Sequence, residues 1–130
     1  MGVVVLADDL MWSTRIAEAV LRAGARPVTL GSDADLAIAL EACRLEEQAT
    51  LGGAIVDMSG RRFDAAAAIR QIKGARLPVM AVAQHDDQVT RRRALEAGAS
   101  RVFSYQKFFR DGTRIVEAWL AAAAAPAETQ

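Results

Sequence analysis

Gly2-Val3-Val4-Val5-Leu6-Ala7-Asp8-Asp9 and Gly53-Ala54-Ile55-Val56-Asp57 share one design, an apolar run with β-branched residues that stops at a carboxylate. Runs that are apolar at every position, rather than at every second one, predict parallel strands covered on both faces. Carboxylates beside apolar strands are costly to desolvate. Three of them at strand ends therefore predict an acidic pocket where a cation offsets their repulsion.

Working outward, three further β-type runs cover about residues 26–30, 79–83 and 101–104. Helical patterns fill the gaps between them. Trp12, Ile16, Ala19, Val20 and Ala23 recur at helical spacing, and Gly24 follows as a C-cap. Ser32 is an N-cap for a helix carrying Leu36, Ile38, Leu40, Cys43 and Leu45, with Asp33 and Asp35 in its first turn and an end near Gln48. A third helix is predicted from about Asp64 to Ile72, stopped by Gly74. A fourth runs from about Gln88 to Ala97, closed by Gly98. The last runs from about Asp111 to Ala124, with Pro126 ending it and a frayed tail after it.

The pattern is β-α five times over. It predicts an α/β fold, a five-stranded parallel sheet doubly wound as (βα)5 with right-handed crossovers. In such sheets the ligand crevice lies outside the carboxyl ends of the strands, at the point where strand order reverses. Asp8, Asp9 and Asp57 all stand at carboxyl ends. At amino ends they would read as helix caps or solubilising charges.

The 130 residues suit one domain, expected over residues 1–124 with a flexible tail at 125–130. Sixteen basic residues balance sixteen acidic ones, so the overall field predicts neither nucleic-acid nor membrane attraction. The N-terminal run lacks a basic leader, and no stretch approaches the roughly 20 apolar residues of a membrane span. A cytoplasmic protein is expected. Cys43, the lone cysteine, is expected to be a buried, inert thiol.

From about residue 3 to 122, the chain resembles the receiver domain of bacterial two-component response regulators, a flavodoxin-like fold of the chemotaxis-regulator type. The resemblance is carried by Asp8-Asp9 after the first strand, Asp57 after the third, Leu77-Pro78-Val79 leading into the fourth, and Glu96-Ala97-Gly98-Ala99-Ser100 leading into the fifth. It implies that Asp57 accepts a phosphoryl group from a histidine kinase or phosphotransfer protein. A carboxylate is a competent nucleophile for this once a divalent cation neutralises the incoming oxygens. The resemblance also implies Mg²⁺ held by Asp8, Asp9, Asp57 and the backbone carbonyl of Ser59, the hard oxygen ligands this ion prefers.

Other landmarks depart from the family. The switch hydroxyl at the end of the fourth strand is replaced by Ala83, whose methyl group neither donates nor accepts a hydrogen bond. The lysine at the end of the fifth strand is expected at the position held by Tyr105. The nearest candidate for the phosphoryl-contacting cation is Lys107, which a two-residue bulge would bring to the pocket and which otherwise points to solvent. Tyr105 and Phe103 are the candidates for the aromatic residue whose rotamer reports the switch. In the loop after Asp57, Arg61 and Ala65 hold the positions of the usual Pro and Gly, giving a different loop, flexible at Gly60.

Simpler readings stand beside these. Asp8 and Asp9 also suit a helix N-cap and a solvated neighbour, and Asp86 and Asp87 after His85 suit caps better than metal ligands. Arg91-Arg92-Arg93 point in different directions on a helix and make a solvated face rather than a patch. Trp12 and Trp119 fit core-facing positions. The expectation is a stand-alone receiver-like signalling domain and not an enzyme, either phosphorylated on Asp57 with Mg²⁺ or acting as an atypical receiver through protein contacts. Its expected partner surface is Gln88–Trp119, its oligomeric state monomer or homodimer. The alternative is a small-ligand or nucleotide-binding module on the same sheet. Against that, the turn Ala7-Asp8-Asp9-Leu10 is acidic and lacks a glycine-rich phosphate loop.

Overall fold

The computed structural model describes residues 1–45 and 51–124. Its elements alternate without exception: β1 (Gly2–Leu6), α1 (Leu10–Arg22), β2 (Arg26–Leu30), α2 (Asp33–Leu45), β3 (Leu51–Asp57), α3 (Ala65–Gly74), β4 (Val79–Ala83), α4 (Gln88–Ala97), β5 (Arg101–Ser104) and α5 (Tyr105–Ala124). The sheet order is β2-β1-β3-β4-β5, with every neighbouring pair parallel. This is the doubly wound (βα)5 sheet. Strand order reverses between β1 and β3, so the crevice at their carboxyl ends lies between Asp8-Asp9 and Asp57.

The continuous apolar runs form strands because both faces of the sheet are covered. Val3, Val4, Val5 and Leu6 are all fully buried, alternately serving two cores. Val3 and Val5 join Ile55 and Met80 beneath α1 and α5, which supply Ile16, Val20 and Val116. Val4 and Leu6 join Val56 and Ala81 on the opposite face, against Leu36, Ile69 and Ile72. Such burial contributes about 1.5–3 kcal/mol per large side chain. Half-buried Trp119 lies so close over β3 that a Cβ on Gly53 would meet its ring at 2.6 Å.

Three expectations differ from the structure. α2 buries only Leu36 and Leu40, a spacing of four, so Ile38 is 69% exposed, Leu45 is 65% exposed and Cys43 is half-buried instead of buried. The fifth helix begins at Tyr105 directly after β5, not at Asp111. Ser104 Oγ accepts from the Lys107 N–H at 3.0 Å and caps it, and the backbone turns non-helical at Asp111 (φ −122°, ψ 19°) before resuming. Gly112 permits that kink to press on α1, since a Cβ there would meet the Phe108 ring at 3.2 Å and Ala19 at 3.4 Å. Third, the loop at Gly60 is not loose: the Phe63 ring, only 6% exposed, occupies the space a Cβ on Gly60 would need. The expected end of α2 near Gln48, Pro126 and the tail at 125–130 lie outside the described residues.

Candidate functional site

Asp57 is the last residue of β3 and is 0% exposed. Its Oδ1 accepts three hydrogen bonds: from the Ser59 N–H at 3.0 Å, from the Ser59 hydroxyl at 2.9 Å, and from the Tyr105 hydroxyl. Its Oδ2 is buried with no partner. Tyr105 opens α5 two strands away, and a gap of about 9.6 Å between β3 and β5 is within the combined reach of a tyrosine and an aspartate. The crossing passes β4, which ends there in the small, buried Ala83. Burial and then the bond to Asp57 push the Tyr105 phenol well above the ordinary tyrosine range, partly opposed by Ser59.

The acidic pair is spent on the backbone. Asp8 Oδ2 accepts from the N–H groups of Arg61 and Arg62 at 2.6 and 2.7 Å, tying β1 to the loop that covers Asp57. Those bonds, the Arg62 one foremost, hold its carboxyl below the usual carboxylate range. Asp9 is the N-cap of α1, accepting from the Trp12 N–H at 3.0 Å. Trp12, so placed, lies against the Tyr105 ring with centroids 4.6 Å apart. Asp9 is thus linked to Asp57 through two aromatic rings.

A divalent cation needs several oxygen lone pairs converging on one point. Here one oxygen each of Asp8, Asp9 and Asp57 faces N–H or O–H groups, whose positive ends repel a cation, while Asp57 Oδ2 is buried without a partner and offers the ion a single ligand. Among the described residues, no three His, Cys, Asp or Glu side chains gather closely enough to hold a metal ion. Ser59, expected to contribute its carbonyl, contributes its N–H and hydroxyl to Asp57 instead. In this arrangement the expected Mg²⁺ ligands do not fit the ion. Lys107 is not at the pocket either: from the third position of α5 its Nζ pairs with Asp111 Oδ2 at 3.1 Å on the surface, which removes the bulge that would have returned it.

No protein-family model matches the sequence, and no curated protein matches it. Solved structures do match in shape. The phosphorylated cyanobacterial phytochrome response regulator RcpA superposes with a TM-score of 0.77 over 97% of this chain and 98% of its own, at 16% identity. A response regulator receiver domain from Rhodospirillum rubrum gives 0.73 over 93% and 94%, also at 16% identity. A CheY-like receiver domain protein from Methanospirillum hungatei gives 0.73 over 94% of each chain at 13% identity. This chain has the response-regulator receiver fold.

Within the receiver fold, Asp57 stands in the expected place and Ala83 ends β4 as expected. Sequence reasoning placed Tyr105 at the expected lysine's position but missed its bond to Asp57. The signal was available, since a phenol is a hydrogen-bond donor of comparable reach. It also missed the cap by Ser104, whose Oγ accepts from the Lys107 N–H. Asp87 caps α4 through Thr90, at 3.0 Å to its N–H and 2.7 Å to its hydroxyl, so His85-Asp86-Asp87 is a helix start. Arg91 turns inward to the Val102 carbonyl at 3.3 Å, while Arg92 and Arg93 are exposed.

Proposed function

We propose that this chain is a receiver-like signalling domain, not an enzyme, that works through protein–protein contacts without phosphorylation of Asp57. The observation that supports it best is the state of Asp57: in the acceptor position of a receiver fold, yet fully buried, with Oδ1 held by Ser59 and by a tyrosine hydroxyl. The parts that phosphoryl chemistry needs are turned to other uses. Ala83 has no hydroxyl, Lys107 pairs with Asp111, and Asp8 and Asp9 hold backbone N–H groups. The nucleotide-binding alternative gains no support, because the β1–α1 turn presents Asp8 and Asp9 where phosphate would approach.

The partner is a protein of a phosphorelay or related pathway, such as a histidine kinase or phosphotransfer protein. It docks on α4, β5 and α5, between Gln88 and Trp119, where Val89 (66%) and Leu95 (51%) are exposed apolar side chains. Incubation of the full chain with acetyl phosphate, with and without Mg²⁺, followed by intact-mass measurement, tests the reading. No mass gain is expected. A Mg²⁺-dependent gain of one phosphoryl group that Asp57→Asn abolishes would overturn it in favour of a phosphorylated receiver.

A further inference from the structure

The Asp57 pocket does not suit the cation its fold implies, and the structure shows what stands there instead. A buried carboxylate must be neutralised or hydrogen-bonded. In this chain three donors converge on one oxygen, and Tyr105 supplies the one that comes from farthest in the sequence, 48 residues away. The other two come from Ser59, within the same loop. Tyr105 is itself held on its outer side by Trp12, whose position the Asp9 cap fixes. An open concavity on the surface is lined by Trp12, Tyr105, Gln106, Phe109 and Arg110, so the ring lies between buried Asp57 and solvent.

We infer that Tyr105 is a latch: its hydroxyl takes the part a cation would play, closing the Asp57 pocket as a metal-independent site that opens only when the ring swings out past Trp12. The inference rests on the receiver reading for the identity of the pocket, and goes beyond it by naming the residue that controls access. Two structural consequences follow. The bond to Asp57 and the tilted ring contact with Trp12 are made or broken together, so the state of the buried carboxylate is displayed on the outer face of α1 and α5. Removing the hydroxyl alone loosens the pocket, while removing the ring also leaves a passage to it.

Carboxyl labelling of the full chain with a water-soluble carbodiimide and an amine, followed by peptide mass measurement, tests this without phosphodonor or metal. Asp57 is expected to stay unlabelled in the wild type. In Tyr105→Phe it is expected to label roughly tenfold faster, the population change that loss of one hydrogen bond to a charged group produces. In Tyr105→Ala it labels faster still. Asp35, exposed and remote in sequence, serves as the internal reference for folding and reagent. Equal protection of Asp57 in wild type, Tyr105→Phe and Tyr105→Ala overturns the latch. So does a saturable change in wild-type tryptophan emission on adding Mg²⁺ alone, if Asp57→Asn removes it. If Tyr105→Ala fails to fold, Tyr105→Phe, which keeps the ring, decides the matter. Because the labelling contains neither Mg²⁺ nor acetyl phosphate, its failure is separate from failure of the receiver reading, which the mass measurement decides.

Discussion

Tyr105 is the chain's one tyrosine, so its ionisation can be followed by ultraviolet absorbance without mutating anything else. Burial and the Asp57 bond both favour the neutral phenol, since ionising it would place a second negative charge beside a buried carboxylate. The folded value therefore lies above the unfolded one. A raised value means that the stabilisation is complete below the ordinary tyrosine range, about pH 10, and is lost as pH rises through the folded value. An alkaline titration is expected to show a phenol resisting ionisation past that range until the protein unfolds, and denaturant stability falling over the same interval. In Asp57→Asn, the charge at the far end of the bond is gone, and the midpoint is expected to move down toward the ordinary tyrosine value. An ordinary midpoint in the wild type would mean that the hydroxyl is not held by Asp57.

At the scale of elements, β1, β3 and β4 were legible because each is an apolar run without polar alternation, whereas β2 and β5 carry exposed polar positions and were placed by their alternation with helical patterns. Val79–Ala83 and Gln88–Ala97 occur where the pattern placed them, the second closed by Gly98 in a left-handed conformation (φ 125°). The start of α5 was not legible. Tyr105-Gln106-Lys107-Phe108-Phe109 carries only one buried position, Phe108, and its helical period is broken at Asp111, so the segment reads as loop until Ser104 is recognised as its cap. The same error hid the site: with the helix misplaced by six residues, Tyr105 had no reason to face Asp57, and the three aspartates looked like a cage. Whether a carboxylate gathers around an ion or spends itself on a backbone N–H depends on loop geometry that spacing does not encode. Ser104→Ala is expected to lower the unfolding free energy by about 1 kcal/mol, the usual cost of losing an N-cap. Ser104→Asp, which can still accept from the Lys107 N–H, is expected to recover most of it. Urea titrations of the three proteins measure the difference, and a neutral Ser104→Ala would remove the cap from the account.

At the scale of the whole molecule, one sheet divides two cores, and both tryptophans belong to the same side. Trp12 and Trp119 pack against the core beneath α1 and α5, while Ile72 on α3 is fully buried in the core of the opposite face. Val3, Val4, Val5 and Leu6 alternate between the two along a single strand, so neither core can melt without withdrawing support from the other. A 130-residue domain built this way is expected to unfold as one unit. Ile72→Ala removes buried methylene groups from the far core and leaves a cavity, a loss of about 2–5 kcal/mol. Although no tryptophan shares that core, the urea midpoint read by tryptophan emission is expected to fall by the same amount as the midpoint read by far-ultraviolet circular dichroism. The strand is what transmits the loss. If the helical signal moved down while tryptophan emission kept its wild-type midpoint, the two faces would be separate folding units, and a change in the Asp57 pocket could not be carried across the sheet to α3 and α4 by the stability of the fold.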